Sequence, residues 1–289
     1  MIKSRGSKIV DWIIVFICFL MILICLLPLM NVLSRSLSSP SALIRNEVML
    51  WPKDLNFDAY EMVLGTSKYT WSLLWTAILT VICTCVSMFM TIICAYPLTY
   101  DNLKGRKFFN GMIILTMYFS AGTIPNYLLL KDLGMLNTAS VLIVPSCLSV
   151  FNMIILRSFL YGIPESLRES AELDGAGPIR TMVSIYLPLS TSVLATLALF
   201  YAVGRWNGFS DALMYVKNER IFPIQLLLYN ILQSVTSVEV ATQEGFTTPG
   251  LGDTIKAATV MFATVPILMV YPWLQRYFIT GVTIGAVKG

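Results

Sequence analysis

At 289 residues the chain is 56% hydrophobic and only 12% charged, where a soluble domain carries roughly a quarter charged residues; a soluble globular protein is excluded and an integral membrane protein indicated. The net charge of +4 is small, and Lys and Arg cluster beside apolar runs, which is a topological pattern and not a nucleic-acid-binding stripe.

A bilayer core of about 30 Å needs about 20 apolar residues per helix. Six runs of that kind occur, at residues 12–33, 71–95, 108–130, 138–156, 182–203 and 257–274, and they predict an all-α membrane protein with six spans in one domain covering 1–289. The first run is too long for a secretory signal and has no small-residue cleavage site after it, so it reads as a retained anchor. Lys3, Arg5 and Lys8 precede it, and Lys104, Arg106 and Lys107 follow the second run. Both clusters belong on the cytoplasmic side, which puts both termini and residues 157–180 inside.

Two long segments, 34–70 and 205–256, are then external. The first contains Trp51-Pro52-Lys53-Asp54-Leu55-Asn56-Phe57-Asp58-Ala59-Tyr60, aromatic-rich and suited to the membrane interface or a partner. The second includes a Thr- and Gly-rich stretch at 239–253. Prolines in or beside the runs (Pro28, Pro97, Pro125, Pro145, Pro188, Pro266, Pro272) predict kinks whose freed backbone groups need neighbours.

The runs hold no Asp, Glu, Lys, Arg or His in their interiors, although carriers driven by ions place such groups there. No filter-like repeat and no pair of interrupted segments is evident, which weighs against a passive channel or secondary carrier. Histidine is absent altogether, removing the usual general base and the commonest metal ligand. All six cysteines lie in apolar runs, where a thiol packs as a small hydrophobe. No catalytic residue, metal site or cofactor of its own is expected.

The most informative segment joins the fourth and fifth runs: Pro164-Glu165-Ser166-Leu167-Arg168-Glu169-Ser170-Ala171-Glu172-Leu173-Asp174-Gly175-Ala176-Gly177-Pro178. It predicts a short helix with Pro164 at its first position, Glu165 at the positive end of its dipole and Gly175 as a left-handed cap. Leu167 and Ala171 share one face, and Arg168 pairs with Glu172 on another. From these residues alone, a solvated linker helix and a docking helix both fit.

Glu169-Ser170-Ala171, Gly175, Ile185, Leu187 and Pro188 resemble, in type and spacing, the EAA loop of the permease subunits of bacterial ATP-binding-cassette importers. The run Ala171 to Ala176 is similar to that of carbohydrate-uptake permeases. Ser170 departs from the family's middle alanine, a small-for-small change. The WPKDLNFDAY segment, Arg205-Trp206-Asn207, and Gln275-Arg276-Tyr277-Phe278 through Gly285-Ala286-Val287-Lys288-Gly289 extend the resemblance over nearly the whole chain. It is most like the smaller maltose-type permease and the polysaccharide-lipoprotein-associated group.

The resemblance implies a type I importer permease fold with a coupling helix at about 164–175. Leu167, Glu169, Ser170, Ala171, Asp174 and Gly175 would meet an ATP-binding subunit. The glycine-rich tail 281–289, through Gly285 and Lys288, would insert between two such subunits, against the plain alternative of a frayed chain end. Partners implied are a different, homologous permease, two ATP-binding subunits holding ATP and Mg, an extracellular solute-binding protein of lipoprotein type, and membrane lipid; location is the bacterial cell membrane. Tyr118, Asn126, Tyr127, Asn152, Tyr201 and Asn207 are candidates for an oligosaccharide path, or else helix packing and interfacial anchors.

Overall fold

The computed structural model describes residues 5–234 and 251–286, which form helices and connecting turns. Among the described residues no strand is present, only one antiparallel bridge between Ser38 and Leu55. The chain divides into two units, Met1–Thr70 with Leu227–Val265, and Trp71–Leu226 with Pro266–Gly289.

The first unit begins with helix α1, Arg5–Ser36. From Trp12 to Met30 every side chain is exposed, as suits a helix whose solvent is lipid or another membrane chain. Its C-terminal end is fastened by hydroxyls: Ser34 donates to the Leu50 carbonyl at 2.6 Å, Ser38 donates to the Ser34 carbonyl at 2.6 Å, and Ser36 shares a 2.8 Å bond with Tyr60. Helix α2, Pro40–Ile44, is N-capped by Ser39. Residues 51–56 of the aromatic-rich segment are irregular, and helix α3, Asp58–Gly65, starts only beyond them. Ala59, Val63, Ile255 and Ala258 form the small core of this unit.

In the second unit, helix α4, Ser67–Ala95, continues through a 3₁₀ turn at Pro97–Thr99. The predicted run 108–130 is two helices, α5 (Arg106–Tyr118) and α6 (Thr123–Asp132), meeting at 114°. Gly122, at φ +92°, makes the corner, and Pro125 falls in the first turn of α6, where its missing N–H is not needed. The run 138–156 is also divided, into α7 (Ser140–Ile143) and α8 (Val150–Tyr161), with Pro145 between them and Ser149 capping α8.

Helix α9, Glu165–Leu173, follows. The fifth run is α10 (Pro178–Leu189) and α11 (Thr191–Asn207), bent by 84°. Pro188 cannot donate a hydrogen bond to the preceding turn, and that turn, Met182–Tyr186, widens into a π-helix. Helices α12 (Ser210–Tyr215), α13 (Ile224–Ser234) and α14 (Leu251–Ala286) complete the described chain.

Kinked but continuous spans are the expectation, and the third, fourth and fifth runs are broken instead. Among the described residues three helices are long and apolar enough to cross a membrane, or five if each sharply bent pair is one span. Interrupted segments are therefore present where the sequence suggested none. The last helix also runs on through Ala286, so residues 281–286 are helical, while 239–250 and 287–289 lie outside the described residues.

The loop before α13 is clasped to α4. Trp71 and Trp75 donate indole N–H groups to the carbonyls of Arg220 and Ile221 at 2.7 and 2.9 Å, and Ser72 donates to that of Phe222 at 2.6 Å. Thr76 accepts the Ile224 N–H at 2.8 Å and donates to the Ser72 carbonyl at 2.7 Å, with both residues fully buried. Replacing Thr76 by isosteric valine leaves a buried N–H unpaired, a loss of about 1–3 kcal/mol. Thr76→Val should lower the thermal midpoint of the purified protein in detergent, and Thr76→Ser should restore it; equal midpoints for all three would contradict this clasp.

Candidate functional site

The break in the fourth run places bare backbone inside a helical membrane protein, where each unpaired polar group costs several kcal/mol. Side chains from α4 and α11 meet that demand. The Leu142 carbonyl accepts from Ser146 Oγ at 3.2 Å, Arg205 Nη1 at 3.1 Å and Cys83 Sγ at 3.6 Å. The Ser146 carbonyl accepts from Ser87 Oγ at 3.4 Å. The Ser149 N–H donates to the Tyr201 hydroxyl at 3.1 Å, and that hydroxyl is also 2.7 Å from Thr91 Oγ1.

Arg205, at the end of α11, is only 8% exposed. Asp211 grips its guanidinium with two oxygens, at 2.5 and 3.1 Å, and the Gly208 carbonyl takes a further N–H at 3.1 Å. A Cβ at Gly208 would stand 3.1 Å from the Gly204 carbonyl and 3.2 Å from Arg205 Nη2, so the turn needs glycine for the guanidinium to lie against it. The charge pair neutralises itself in a half-dry setting, and the guanidinium spans three segments: the end of α7, the α11–α12 turn and α12.

Apart from Leu142 and Thr91, these residues line a cavity of about 900 Å³ together with Phe151, Phe200, Asn152 and Asn207. Its wall combines aromatic faces with hydroxyls, amides and one neutralised ion pair. Of the six path candidates, Asn152, Tyr201 and Asn207 line it; Tyr118, Asn126 and Tyr127 do not. Tyr118 is exposed at the end of α5, and Tyr127 packs on Tyr215 with ring centroids 6.2 Å apart. Arg205, Asp211 and the serines Ser87, Ser146 and Ser149 were not among the candidates. Opposite charges six residues apart around Gly208, just past an apolar run, were the available signal.

Helix α9 is a second feature. Its end is a complete Schellman cap: the Ala176 N–H donates to the Ala171 carbonyl at 2.8 Å and the Gly175 N–H to the Glu172 carbonyl at 3.0 Å, with Gly175 at φ +76°. Pro164 precedes the first helical residue instead of occupying it. Ala171 is buried, while Leu167, Glu169, Ser170, Asp174 and Gly175 are exposed and Leu173 is 89% exposed. Arg168 pairs with Glu165 as well as with Glu172, the latter at 3.7 Å. Gly285 lies in α14, and Lys288 lies outside the described residues.

Residues 1–284 match the model of the binding-protein-dependent transport system inner membrane component family. The chain belongs to that family. This inner membrane component is 40% identical over 268 residues to protein LplC of Bacillus subtilis, covering 92% of this chain and 90% of that one. It is 37% identical over 284 residues to the polygalacturonan/rhamnogalacturonan transport system permease protein YtcP of the same organism, covering 98% and 99%.

A solved bacterial ABC transporter involved in importing the acidic polysaccharide alginate contains a chain matching at TM-score 0.89 and 30% identity, over 96% of this chain and 99% of that one. The alginate transporter solved with a pentasaccharide-bound periplasmic protein matches at TM-score 0.61 and 15% identity, a likeness of fold. The resemblance carried by Glu169 to Pro188 therefore holds over nearly the full permease. It is a transport component and not an enzyme, and the channel or secondary-carrier alternative falls with that assignment.

Removing one partner of a buried ion pair strands the other charge, typically at about 3–5 kcal/mol. Asp211→Ala should sharply lower the thermal midpoint of the permease, and adding Arg205→Met should recover much of the loss. A single variant as stable as the parent would mean that Arg205 is not held as described.

Proposed function

We propose that this permease forms half of the translocation path of an ATP-driven importer of oligosaccharide, crossing the membrane six times with both termini in the cytoplasm. The other half is a homologous, different permease; two ATP-binding subunits carry ATP and Mg, and an extracellular solute-binding protein of lipoprotein type delivers cargo. The 900 Å³ cavity supports the carbohydrate reading, since aromatic faces beside amides and hydroxyls suit sugar rings and their hydroxyl groups. The polysaccharide systems among its relatives support it too. Asn152, Tyr201 and Asn207 are its proposed sugar contacts.

The observation that carries the coupling role is α9 itself. A helix of nine residues, seated on the rest of the chain through Ala171 and capped at Gly175, presents Glu169, Ser170 and a bare Leu173 outward. A groove on an ATP-binding subunit would cover it, with Glu169 facing a basic residue there. Closure of the two subunits around ATP then shifts α9 and, with it, the balance between inward-open and outward-open forms. Gly285 and Lys288 are the proposed contacts of the C-terminal end with those subunits.

Glu169→Lys should abolish sugar uptake while the permease still inserts and accumulates in the membrane. Gly175→Val, which puts a β-branched residue at positive φ, should do the same, and Gly175→Asn should be milder. Uptake by Glu169→Lys and Gly175→Val at the parent's rate would refute the docking role of α9.

A further inference from the structure

Arg168 lies beside Glu169 but points the other way, into the protein, with only 13% of its side chain exposed. Both its carboxylate partners, Glu165 and Glu172, are on α9 itself. Beyond the helix it stacks on Tyr100: the guanidinium lies 4.7 Å from the ring centroid, a cation–π arrangement. The Tyr100 hydroxyl is 2.7 Å from that of Tyr96. The Tyr96 hydroxyl donates its single proton to the Pro178 carbonyl at 3.1 Å, so Tyr100 is the donor to Tyr96.

Two routes therefore leave α9 and converge on one point. One passes through Arg168 to Tyr100. The other follows the chain through Gly175 to Pro178, at the start of α10, whose carbonyl Tyr96 holds. Tyr96 itself is 5% exposed and wedged edge-on against Tyr186 and Tyr100, at 5.2 and 5.4 Å between centroids. It directly follows the last residue of α4, and α4 is unbroken from Ala95 back past Ser87 and Cys83, which line the cavity roughly 13 and 20 Å away along the helix.

We propose that the Tyr96–Tyr100 pair receives the motion of α9 and passes it to the cavity through α4, with Arg168 as the positioning residue that keys α9 to the pair. An ion pair within one helix does not hold that helix to its neighbour; a guanidinium stacked on a neighbour's ring does. The packed aromatic cluster resists compression, so a shift of α9 displaces the end of α4 in place of being absorbed. The proposal rests on the reading of α9 as the docking helix.

The test uses the complete importer in lipid vesicles, with Ser210→Cys on the cavity wall as reporter. The rate at which a water-soluble thiol reagent labels it is measured without nucleotide and after trapping with ATP and vanadate, against the native-cysteine background. The parent rate should change at least fivefold on trapping. Arg168→Ala and Tyr100→Leu should bring that ratio to about one while retaining trapped nucleotide, whereas Arg168→Lys and Tyr100→Phe, which keep the cation and the ring, should retain at least half of the response.

A full response in Arg168→Ala and Tyr100→Leu overturns the proposal. Loss of trapped nucleotide in those variants also overturns it, assigning Arg168 to docking instead. A parent that traps nucleotide with no change in labelling refutes the reading of α9 beneath it, and the proposal with it.

Discussion

The carbonyl of Leu142 and the N–H of Ser149 flank a stretch of backbone that leaves its helix within an integral membrane protein. Such groups must be paired from within the protein. Cys83, Ser87, Tyr201 and Arg205 do this from two other helices. The requirement explains an otherwise costly feature, a buried guanidinium with its own carboxylate. Asp211 makes Arg205 tolerable in that position, and Gly208 makes room for both. A helix that ran straight from Ser140 to Tyr161 would need none of them, and would offer no polar wall.

One helix links the two sites on which the proposed function rests. Helix α4 contributes Cys83 and Ser87 to the cavity and ends at the tyrosines against which α9 and α10 rest. In the proposed account, the cavity wall and the point where force enters are separated along one unbroken helix. The cavity wall itself is a patchwork of hydroxyls, amides and aromatic rings around one ion pair.

Much of this was legible in the sequence. Apolar runs beside basic clusters pointed to the membrane class, and the spacing of Glu169, Gly175 and Pro188 pointed to the family and the short capped helix, down to the positive φ at Gly175. Hydrophobicity counts residues and does not register direction, so the corners at Gly122 and Ser190 were invisible inside runs of adequate length. Pro145 and Pro188 were legible as kinks, but a proline alone does not say whether a helix bends or stops; the partners of the freed carbonyls decide that. Arg205 escapes a sequence reading for the same reason. At the end of a run a cation can reach water, and only its burial with Asp211 marks it as part of the cavity.

The decisive measurement is an electron cryomicroscopy structure of the whole importer, trapped with ATP and vanadate in the presence of cargo-loaded binding protein. Residues 144–149 should remain unwound, Arg205 should still bridge Leu142 and Asp211, and sugar density should lie against Tyr201 and Asn152. A continuous helix through 140–161, or a sugar path that avoids this cavity altogether, would contradict the central role given to the broken helix.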